Sequence, residues 1–331
     1  MAEPDRAGLA HAYHRFAEYA IEAEQLGFAS VFLTEHHFTG LGQASNPLTL
    51  LAHLAARTSR LRLGTAVTVL PWHDPLLLAE QAATVDVLSS GRLDFGVGRG
   101  FRAAEFAGFM QSMDDAAERY EEALAVILRA WTAQGRWSHD GRFWHYDDVL
   151  VEPTTAQSPH PPIWVGAGSP PSLAAAADRG FKLLLDQVGS FETTAERLAV
   201  YRERVLESGA SYDASTDVAV TRSLHLVDGA RERERAIQER VELFAEVAKL
   251  TNDARGPRNR MAADYTSDIR AATEAGAIIG DADECVERLE RLRDGGVEYV
   301  LLIDRDNSLD TLREFARSVM PRLAAAALES R

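Results

Sequence analysis

The sequence predicts an α/β barrel, in which parallel strands alternate with helices, and two observations support this fold class. The chain has 331 residues, a length that suits one barrel of roughly 250 residues with insertions. Short apolar runs rich in β-branched residues also alternate with amphipathic helical patterns along almost all of it. We therefore expect residues 1–331 to form a single domain of repeated strand–helix units.

Seven segments have the composition of strands that are covered on both faces. They are Ser30–Thr34, Leu61–Leu70, Leu93–Val97, Ile163–Ala167, Lys182–Val188, Val218–Val227 and Tyr299–Ile303. A closed barrel of this kind has eight strands, and the first of them is not visible in this sequence. Residues 1–10 are too polar to supply it, and we expect the chain to enter its first helix near His11. Either the first strand is lost or an irregular segment replaces it.

The intervals between these strands carry helical signals. Asp74 and Pro75 supply an N-cap and a first-turn proline, and Gly91 is a natural stop. Apolar residues recur at helical spacing in three places: Phe16, Ala20 and Ala23; Leu78, Ala82 and Val85; Tyr120, Leu124, Ile127 and Trp131. Cys285 shares an apolar helix face with Leu289 and Leu292, so we interpret it as a core thiol rather than a nucleophile.

Three segments depart from the strand–helix pattern. Residues 135–160 combine aromatic residues with Gly, His and Asp, which predicts a hairpin insertion. Residues 251–276 have no sustained apolar period, and a loop of that length inside a compact domain is usually functional or disordered. We interpret the charge run Arg231–Arg240 as the solvated face of a helix.

Composition and charge exclude several classes of function. The chain has 35 basic and 50 acidic residues, a net charge of −15, which argues against nucleic acid or an anionic membrane as a partner. The N-terminus lacks a secretory signal, and no apolar run approaches the length of about 18 residues that a membrane span needs. The single cysteine excludes an intrachain disulfide and a cysteine-built zinc site. We expect a cytoplasmic protein.

Three clusters follow predicted strands, at the end of the barrel where such enzymes hold their active sites. The first contains Glu35, His36 and His37. Strand neighbours point to opposite sides, and the spacing of the zinc-binding HExxH helix is absent, so we expect no metal site. The alternative to a functional role is a set of buried, hydrogen-bonded histidines.

The second cluster is GVGRGF at residues 96–101. It is not a dinucleotide-binding fingerprint, because Phe101 stands where the third glycine is required. It predicts a strand end where the backbone can approach a flat ligand, with Arg99 able to hold a phosphate. Alternatively, Arg99 is a surface arginine beside a turn.

The third cluster is GAGSPPS at residues 166–172, which leads from a strand into an alanine-rich helix. Helix N-termini bind phosphate through free backbone N–H groups, but Pro170 and Pro171 remove two of these donors. A phosphate here would need the hydroxyls of Ser169 and Ser172, together with Arg99. The alternative is that Ser169 is simply an N-cap.

Together these motifs resemble one family. TEHHF, GQASNP, LGTAVTVLP, SSGRLDFGVGRGF, RYEEAL, PIWVGAGSPPS and IIGDADECVERLERLRDGGVEYVLL follow one another between about residues 11 and 325. This order is similar to that of the bacterial luciferase-like flavin monooxygenases, nearer the luciferase α-type chain than the deazaflavin-dependent branch. The resemblance implies a TIM (β/α)8-type barrel, reduced FMN (FMNH2) as cofactor, and a homodimer packed through barrel helices.

The resemblance also implies roles for single residues. Glu35 and His36 would stand beside the flavin, with His36 as the acid–base group. Ala66-Val67 matches the position of the family's non-prolyl cis peptide bond under the flavin ring. Arg99 matches a phosphate-binding position.

Within the third cluster, Gly168, Ser169 and Ser172 match the family's other phosphate-binding positions. Two positions depart from luciferase: Gly168 stands where luciferase has a glutamate, and Gly98 replaces a reactive cysteine near the flavin. Light emission and a long-chain aldehyde substrate are therefore not implied.

The implied reaction begins when reduced FMN and O2 form a C4a-(hydro)peroxide, which transfers oxygen to a small organic substrate. Such chemistry requires exclusion of water, so we predict that residues 251–276 form a closing lid. A separate NAD(P)H:flavin reductase would supply the reduced flavin, because the sequence has no nicotinamide fingerprint. The alternatives are a deazaflavin (F420)-dependent oxidoreductase on the same barrel and a non-catalytic partner like the luciferase β chain.

Overall fold

The computed structural model describes residues 6–40, 44–252 and 268–329. In chain order the strands are β1 Ser30–Leu33, β2 Arg62–Thr65, β3 Thr68–Val69, β4 Leu93–Gly98, β5 Trp137–Asp140, β6 His145–Val149, β7 Ile163–Gly166, β8 Lys182–Leu185, β9 Val218–Leu226, β10 Ile278–Gly280 and β11 Val300–Ile303. The helices are α1 Arg6–Leu26, α2 Pro47–Ala55, α3 Pro75–Leu88, α4 Ala103–Gly108, α5 Ala116–Thr132, α6 Pro170–Asp178, α7 Phe191–Glu207, α8 Ala214–Asp217, α9 Ala230–Thr251, α10 Ile269–Gly276, α11 Ala282–Asp294, α12 Leu309–Ser318 and α13 Met320–Glu329.

The main sheet is parallel and curled, in the order β1-β2-β4-β7-β8-β9. β11 pairs with residues 220–223 in the middle of β9, and β10 pairs with its last three residues. β3 continues β2 beyond Ala66-Val67 and pairs with β4. All seven predicted strands are present, which confirms the α/β barrel class. The sequence prediction missed β10, which has only three residues.

The barrel is open between β1 and β11. Among the described residues no strand lies between these two edges, although the Tyr299 hydroxyl and the Ser30 hydroxyl meet across the opening at 2.5 Å. Helix α1 covers the opening from outside, where Phe28 packs on Phe315 of α12 with 6.0 Å between ring centres. This helix begins at Arg6 and not near His11 as predicted, because the residues ahead of His11 include good helix formers.

The predicted apolar positions form the core between sheet and helices. Ala20, Leu78, Ala82 and Leu124 are almost fully buried, and their helices α1, α3 and α5 pack on the outer face of the sheet. Asp74 caps α3 as predicted, since its carboxylate accepts from the Leu77 N–H at 2.9 Å. Burial removes apolar area from water at about 25 cal/mol per Å², so this interface is the main source of the barrel's stability.

The barrel interior is aromatic at the N-terminal end of its strands. Trp164 lies edge-on to Phe32 and Tyr299, with 5.8 Å and 6.0 Å between ring centres. The Trp164 Nε1–H donates to Asp94 at 3.0 Å, and Asp94 is paired with Arg62. These large side chains fill the lower part of the barrel.

The insertion at residues 135–160 contains the predicted hairpin, because β5 and β6 pair antiparallel. The prediction for residues 251–276 needs correction. Ile269–Gly276 is helix α10, whose N-cap Asp268 accepts from the Ala271 N–H at 3.0 Å. Ile269 and Thr273 are buried on its inner face. Residues 253–267 lie outside the described residues, so the predicted lid is not described.

The charge run Arg231–Arg240 lies on α9 and is exposed over its first turns, as predicted. Its last residue is an exception, since Arg240 is only 4% exposed. Its guanidinium donates to Ser223 and to the Gln187 side-chain oxygen, and lies 4.8 Å from the centre of the Phe244 ring. The helix therefore has one charged residue on its inner face.

Candidate active site

A cavity of about 1950 Å³ extends from the C-terminal ends of the strands along the opening between β1 and β11, where Ser30, Tyr299 and Phe16 of α1 also line it. The predicted site residues that line it are His36, Ala66, Val67, Gly98, Arg99, Gly168, Ser169 and Ser172. They come from the ends of four strands that are far apart in sequence, and the fold brings them to one mouth. Glu35 is the predicted residue that does not line this cavity.

His36 follows β1, and its imidazole is 13% exposed in the cavity wall. Its Nδ1 lies 3.0 Å from a carboxylate oxygen of Glu105. The same oxygen accepts from the His37 backbone N–H at 2.8 Å. Because this oxygen already accepts one N–H, it is also the acceptor in its contact with His36. We therefore assign the His36 proton to Nδ1. Nε2 then carries a lone pair.

Burial lowers the pKa of His36, and the charge of Arg102 lowers it further, while Glu105 acts in the opposite direction. The net shift is downward, so the imidazole is neutral near neutral pH. A neutral ring with a fixed tautomer can accept a proton and return it. The site thus has the protonation state that an acid–base group needs.

Glu35 lies behind His36 and is 1% exposed. Its carboxylate accepts from His37 at 2.9 Å, from His73 at 2.7 Å and from the Val69 N–H at 2.8 Å. Burial alone would raise the pKa of Glu35, but these hydrogen bonds hold it below its ordinary value. Glu35 therefore ties the strand end after β1 to the segment after β2. Its carboxylate contacts these groups and not the cavity.

Sequence reasoning missed Glu105. This residue lies on the six-residue helix α4, is 1% exposed, and approaches Arg102 at 3.8 Å. It meets His36 across 69 positions of sequence. Its position shortly after GVGRGF is the only local signal, and no periodicity shows that its side chain turns back to β1.

The Ala66–Val67 peptide bond is cis, as the resemblance implies. Both residues line the cavity beside Gly98. A β-carbon on Gly98 would overlap the Val67 side chain. The absence of a side chain at residue 98 therefore leaves a shallow surface made largely of backbone, which suits the close approach of a flat ring.

Ser169 and Ser172 lie at the N-terminus of α6. Their hydroxyl oxygens are 2.9 Å apart, and the Ser172 hydroxyl accepts from the Ser169 N–H at 3.1 Å. Arg99, which follows β4, is exposed at the same mouth. Two hydroxyls, a helix N-terminus and a guanidinium form a donor set that suits a phosphate group. Ser169 is also the N-cap of α6, so the N-cap interpretation and the phosphate-site interpretation are compatible.

The opposite wall is polar. Gln187 follows β8, and its side-chain oxygen accepts from the Ser223 hydroxyl at 3.1 Å and from Arg240 at 3.3 Å. Because both donors approach the oxygen of the Gln187 amide, the amide nitrogen points away from Ser223 and Arg240. His225 of β9 lines the same wall, and burial together with Arg240 lowers its pKa to about 4. This neutral histidine was also missed by sequence reasoning.

Residues 2–299 match a family model described as the luciferase-like monooxygenases. The chain belongs to this family. Among curated proteins, it is 26% identical over 334 residues to the oxygenase component of flavin-dependent trigonelline monooxygenase from Acinetobacter baylyi, covering 96% of this chain and 92% of that one.

Two further relatives match over shorter stretches. The alkanal monooxygenase α chain of the Kryptophanaron alfredi symbiont is 30% identical over 187 residues, 56% of this chain and 52% of that one. The uncharacterised protein y4vJ of Sinorhizobium fredii is 38% identical over 168 residues, 51% and 48% of the two chains. The matched stretches thus span about half the length of these two relatives.

Solved structures share the fold over nearly the whole chain. Monooxygenase RslO1 from Streptomyces bottropensis superposes with a TM-score of 0.80 at 28% identity, covering 95% of this chain and 94% of that one. The oxygenating constituent of 3,6-diketocamphane monooxygenase from Pseudomonas putida, in complex with FMN, has a TM-score of 0.77 at 19% identity, covering 98% and 96%. An F420-dependent secondary alcohol dehydrogenase superposes with a TM-score of 0.76 at 17% identity, covering 94% of this chain and 95% of that one.

The comparisons confirm the predicted fold, family and enzyme class, that of the flavin-dependent monooxygenases. The neighbours below 25% identity support the fold alone. In the part of the chain that the structure describes, no helix is long and apolar enough to cross a membrane. No group of three or more His, Cys, Asp or Glu residues there could hold a metal ion.

Proposed function

We propose that this protein is an FMNH2-dependent monooxygenase that transfers one oxygen atom of O2 to a small organic substrate. The observation that carries the proposal is one cavity in which a neutral, oriented His36 faces the same space as Arg99, Ser169 and Ser172. The first group suits proton transfer, and the others suit the phosphate of a cofactor. The cis Ala66–Val67 bond and Gly98 lie on the same wall.

The cavity fits FMN in chemistry. Its volume of about 1950 Å³ includes the space along the opening between β1 and β11, and it exceeds the range of about 300–1,000 Å³ that is usual for a small-molecule site. Arg99, Ser169 and Ser172 would hold the phosphate. The backbone beside Gly98 and Val67 would lie against the ring system. When bound, reduced FMN supplies the electrons that activate O2.

The chain's own contribution is orientation and proton transfer. Glu105 holds the His36 ring in the cavity wall and leaves Nε2 unprotonated, so this nitrogen can accept a proton and return it. Gln187 and His225 supply polar contacts on the opposite wall. A two-component system accounts for the electron source: a separate NAD(P)H:flavin reductase would deliver FMNH2. The trigonelline enzyme is named as an oxygenase component, which implies a second component for that relative.

We also propose that the chain forms a homodimer. Helix α3 presents Leu77, Val87 and Leu88 to solvent, at 54%, 45% and 58% exposure. Apolar side chains on one exposed helix are typical of a surface that a second subunit covers. A molar mass of about 73 kDa in solution, twice that of the 36.3 kDa chain, would support this. A mass of one chain at micromolar concentration would contradict it.

The function is tested by titration followed by turnover. FMN and F420 are titrated into the purified protein, in oxidised and reduced forms. Oxygen uptake is then measured with FMNH2 and an aldehyde, a cyclic ketone or an N-methylpyridinium carboxylate such as trigonelline. We expect FMN binding and a product that carries oxygen from ¹⁸O2. Binding of F420 alone would favour hydride transfer, and binding of neither would favour the non-catalytic alternative.

Arg99→Ala should weaken FMN binding, because it removes a charged donor from the phosphate. A hydrogen bond to a charged group contributes about 1.5–3 kcal/mol, which corresponds to roughly a 10- to 150-fold increase in Kd. Flavin fluorescence quenching measures it. Riboflavin, which lacks the phosphate, is the matched ligand and should bind the variant and the wild type equally. Unchanged FMN affinity would show that the phosphate lies elsewhere.

Glu105→Gln should shift the pH dependence of turnover. The glutamine oxygen can still accept from the His36 Nδ1–H, but the negative charge is lost. Glu105 raises the pKa of His36 in the wild type, so the variant's His36 has a lower pKa. A base must be neutral, and activity is lost as pH falls through its pKa. The variant should therefore stay active to lower pH, with a plateau about 10- to 100-fold lower.

The measurement is the pH profile of product formation under saturating FMNH2. Glu122→Gln is the control, because Glu122 also accepts from a histidine, His139 of the hairpin at 3.2 Å, but lies on α5 and does not line the cavity. The control profile should equal that of the wild type. If the acidic limb of Glu105→Gln does not move, Glu105 does not act on His36.

A further inference from the structure

A buried arginine lies directly behind the third cluster. Arg197 on α7 is 6% exposed. A β-carbon on Gly168 would be 3.5 Å from the Arg197 guanidinium carbon, and one on Gly189 would be 3.3 Å from its Nη1. The guanidinium therefore packs beside two glycines, one in the loop after β7 and the other in the loop after β8.

The surroundings of Arg197 have an excess of positive charge. Its Nη1 is 2.5 Å from the Asp186 carboxylate. A second guanidinium, that of the fully buried Arg222, donates to the Asp186 backbone oxygen at 2.7 Å. In the ranges that the structure describes, Asp186 is the carboxylate that contacts this pair of arginines. Two guanidiniums and one carboxylate leave one unit of positive charge.

The protonation states support this count. Burial would raise the pKa of Asp186, but Arg197 and the Val188 and Gly189 N–H groups hold it below its ordinary value. Burial lowers the pKa of Arg222 to about 10, which still leaves it charged near neutral pH. The Nε atoms of both arginines are buried and find no hydrogen-bond partner among the described residues.

An uncompensated buried charge is costly unless an opposite charge lies near it. Gly168 lines the cavity and has no side chain to separate it from the Arg197 guanidinium, so the Gly168 backbone lies between the guanidinium and the cavity; Asp186 lines the cavity as well. The donors of Ser169 and Ser172 are adjacent. An anion at these two serines would therefore also compensate the excess charge behind them.

We propose that Arg197 belongs to the phosphate subsite as a positioning residue: it acts through the Gly168 loop and selects a doubly charged phosphate monoester over a phosphate-free ligand. The inference rests on the proposed function, which takes FMN as the cofactor. It also gives Gly168 a role, since a longer side chain there would separate the guanidinium from the phosphate. Arg197 need not touch the phosphate, because the interaction of charges acts across a few ångström in a site with little water.

The test is the ratio of the riboflavin Kd to the FMN Kd, which isolates the contribution of the phosphate. Arg197→Gln should lower this ratio about tenfold, because one positive charge is lost. Asp186→Asn should raise it about threefold, because the same cluster gains one unit of positive charge. Opposite shifts from two adjacent substitutions are not expected from a merely structural role, which would affect both ligands alike.

Arg204→Gln is the matched control. Arg204 is on the same helix but is exposed and paired with Asp178, so water screens its charge and the ratio should not change. If Arg197→Gln fails to fold, Asp186→Asn decides alone. Asparagine has the same shape and keeps one accepting oxygen, either for the Val188 and Gly189 N–H groups or for Arg197. An unchanged or lowered ratio in Asp186→Asn overturns the proposal.

The proposed function and the role of Arg197 can be contradicted by different results. If the wild type binds neither FMN nor FMNH2, FMN is not the cofactor and both proposals fall. If FMN binds and Arg99→Ala lowers the ratio while Arg197→Gln leaves it unchanged, the phosphate is at the predicted loop and only the role of Arg197 is wrong.

Discussion

His36→Ala should retain FMN binding and the fold yet form product about 10²- to 10⁴-fold more slowly, the usual contribution of a positioned acid–base group. The His36 ring stands in the cavity wall, and Glu105 contacts its Nδ1. The phosphate donors come from other strand ends. FMN binding and proton transfer are thus assigned to different residues, so this substitution should impair product formation and leave FMN binding unchanged.

The measurement is product formed per FMNH2 consumed, with hydrogen peroxide monitored in parallel. We expect oxygen uptake to continue in the variant while electrons are diverted from product to peroxide. His53→Ala is the control, because His53 lies on α2 and its recorded side-chain contact is with Arg57. Wild-type product yield in His36→Ala would restore the interpretation of a buried, hydrogen-bonded histidine. Loss of FMN binding would instead make His36 a cofactor ligand.

The strand positions were predictable because each strand is an apolar run between turn signals. Three of the four residues in each of β7 and β8 are buried between barrel interior and helices, and such strands are apolar on both faces. β10 was missed, since three residues are too few for a composition signal. α10 was missed because only its buried positions Ile269 and Thr273 mark its inner face, and no long apolar period accompanies them.

The site was predictable where a motif is continuous in sequence. His36, Arg99 and Ser169 each lie in a short motif at a strand end, and the fold brings these ends to one cavity. Residues that act across the fold gave no such signal. Glu105 and Arg197 are charged, and charged residues are expected at the surface. Their burial depends on partners distant in sequence, which one sequence does not show.

The wrong prediction about Arg240 has the same cause. A run of alternating arginine and glutamate indicates a solvated helix face, and most of this run is exposed. Helical phase carries the last residue to the inner side of α9, where Ser223 and Gln187 accept from it. A run of charged residues therefore predicts that most of a helix face is exposed. Whether one residue of the run is buried depends on which side chains pack against it.

The second large effect concerns the link between β2 and β4, on which the cavity wall depends. β2 pairs with β4 only as far as Gly64, and β3 resumes the pairing at Thr68. Between these points the Thr65 hydroxyl accepts from the Gly96 N–H at 2.9 Å and donates to the Gly96 carbonyl at 2.7 Å. The side chain of Thr65 thus replaces backbone pairing where the chain turns into Ala66-Val67.

This arrangement requires glycine at residue 96. A β-carbon there would overlap the backbone carbonyl oxygen of Thr65, and backbone cannot rotate away as a side chain can. Gly96→Ala should therefore force β2 and β4 apart and lower the free energy of unfolding by about 3 kcal/mol or more, the range of severe overpacking. Because Ala66, Val67 and Gly98 follow these strands, FMN binding should be lost together with stability.

The measurements are the free energy of unfolding in urea and the FMN Kd. Gly135→Ala is the control: an added β-carbon there meets no atom within 4 Å, so the free energy of unfolding should change by less than about 1 kcal/mol. If Gly96→Ala is as stable as this control, the Thr65 carbonyl does not hold the position described. A separation of β2 and β4 must displace Val67 and Gly98 relative to one another. If the Gly96→Ala variant is destabilised but binds FMN with wild-type affinity, the cavity wall therefore does not depend on the spacing of these strands.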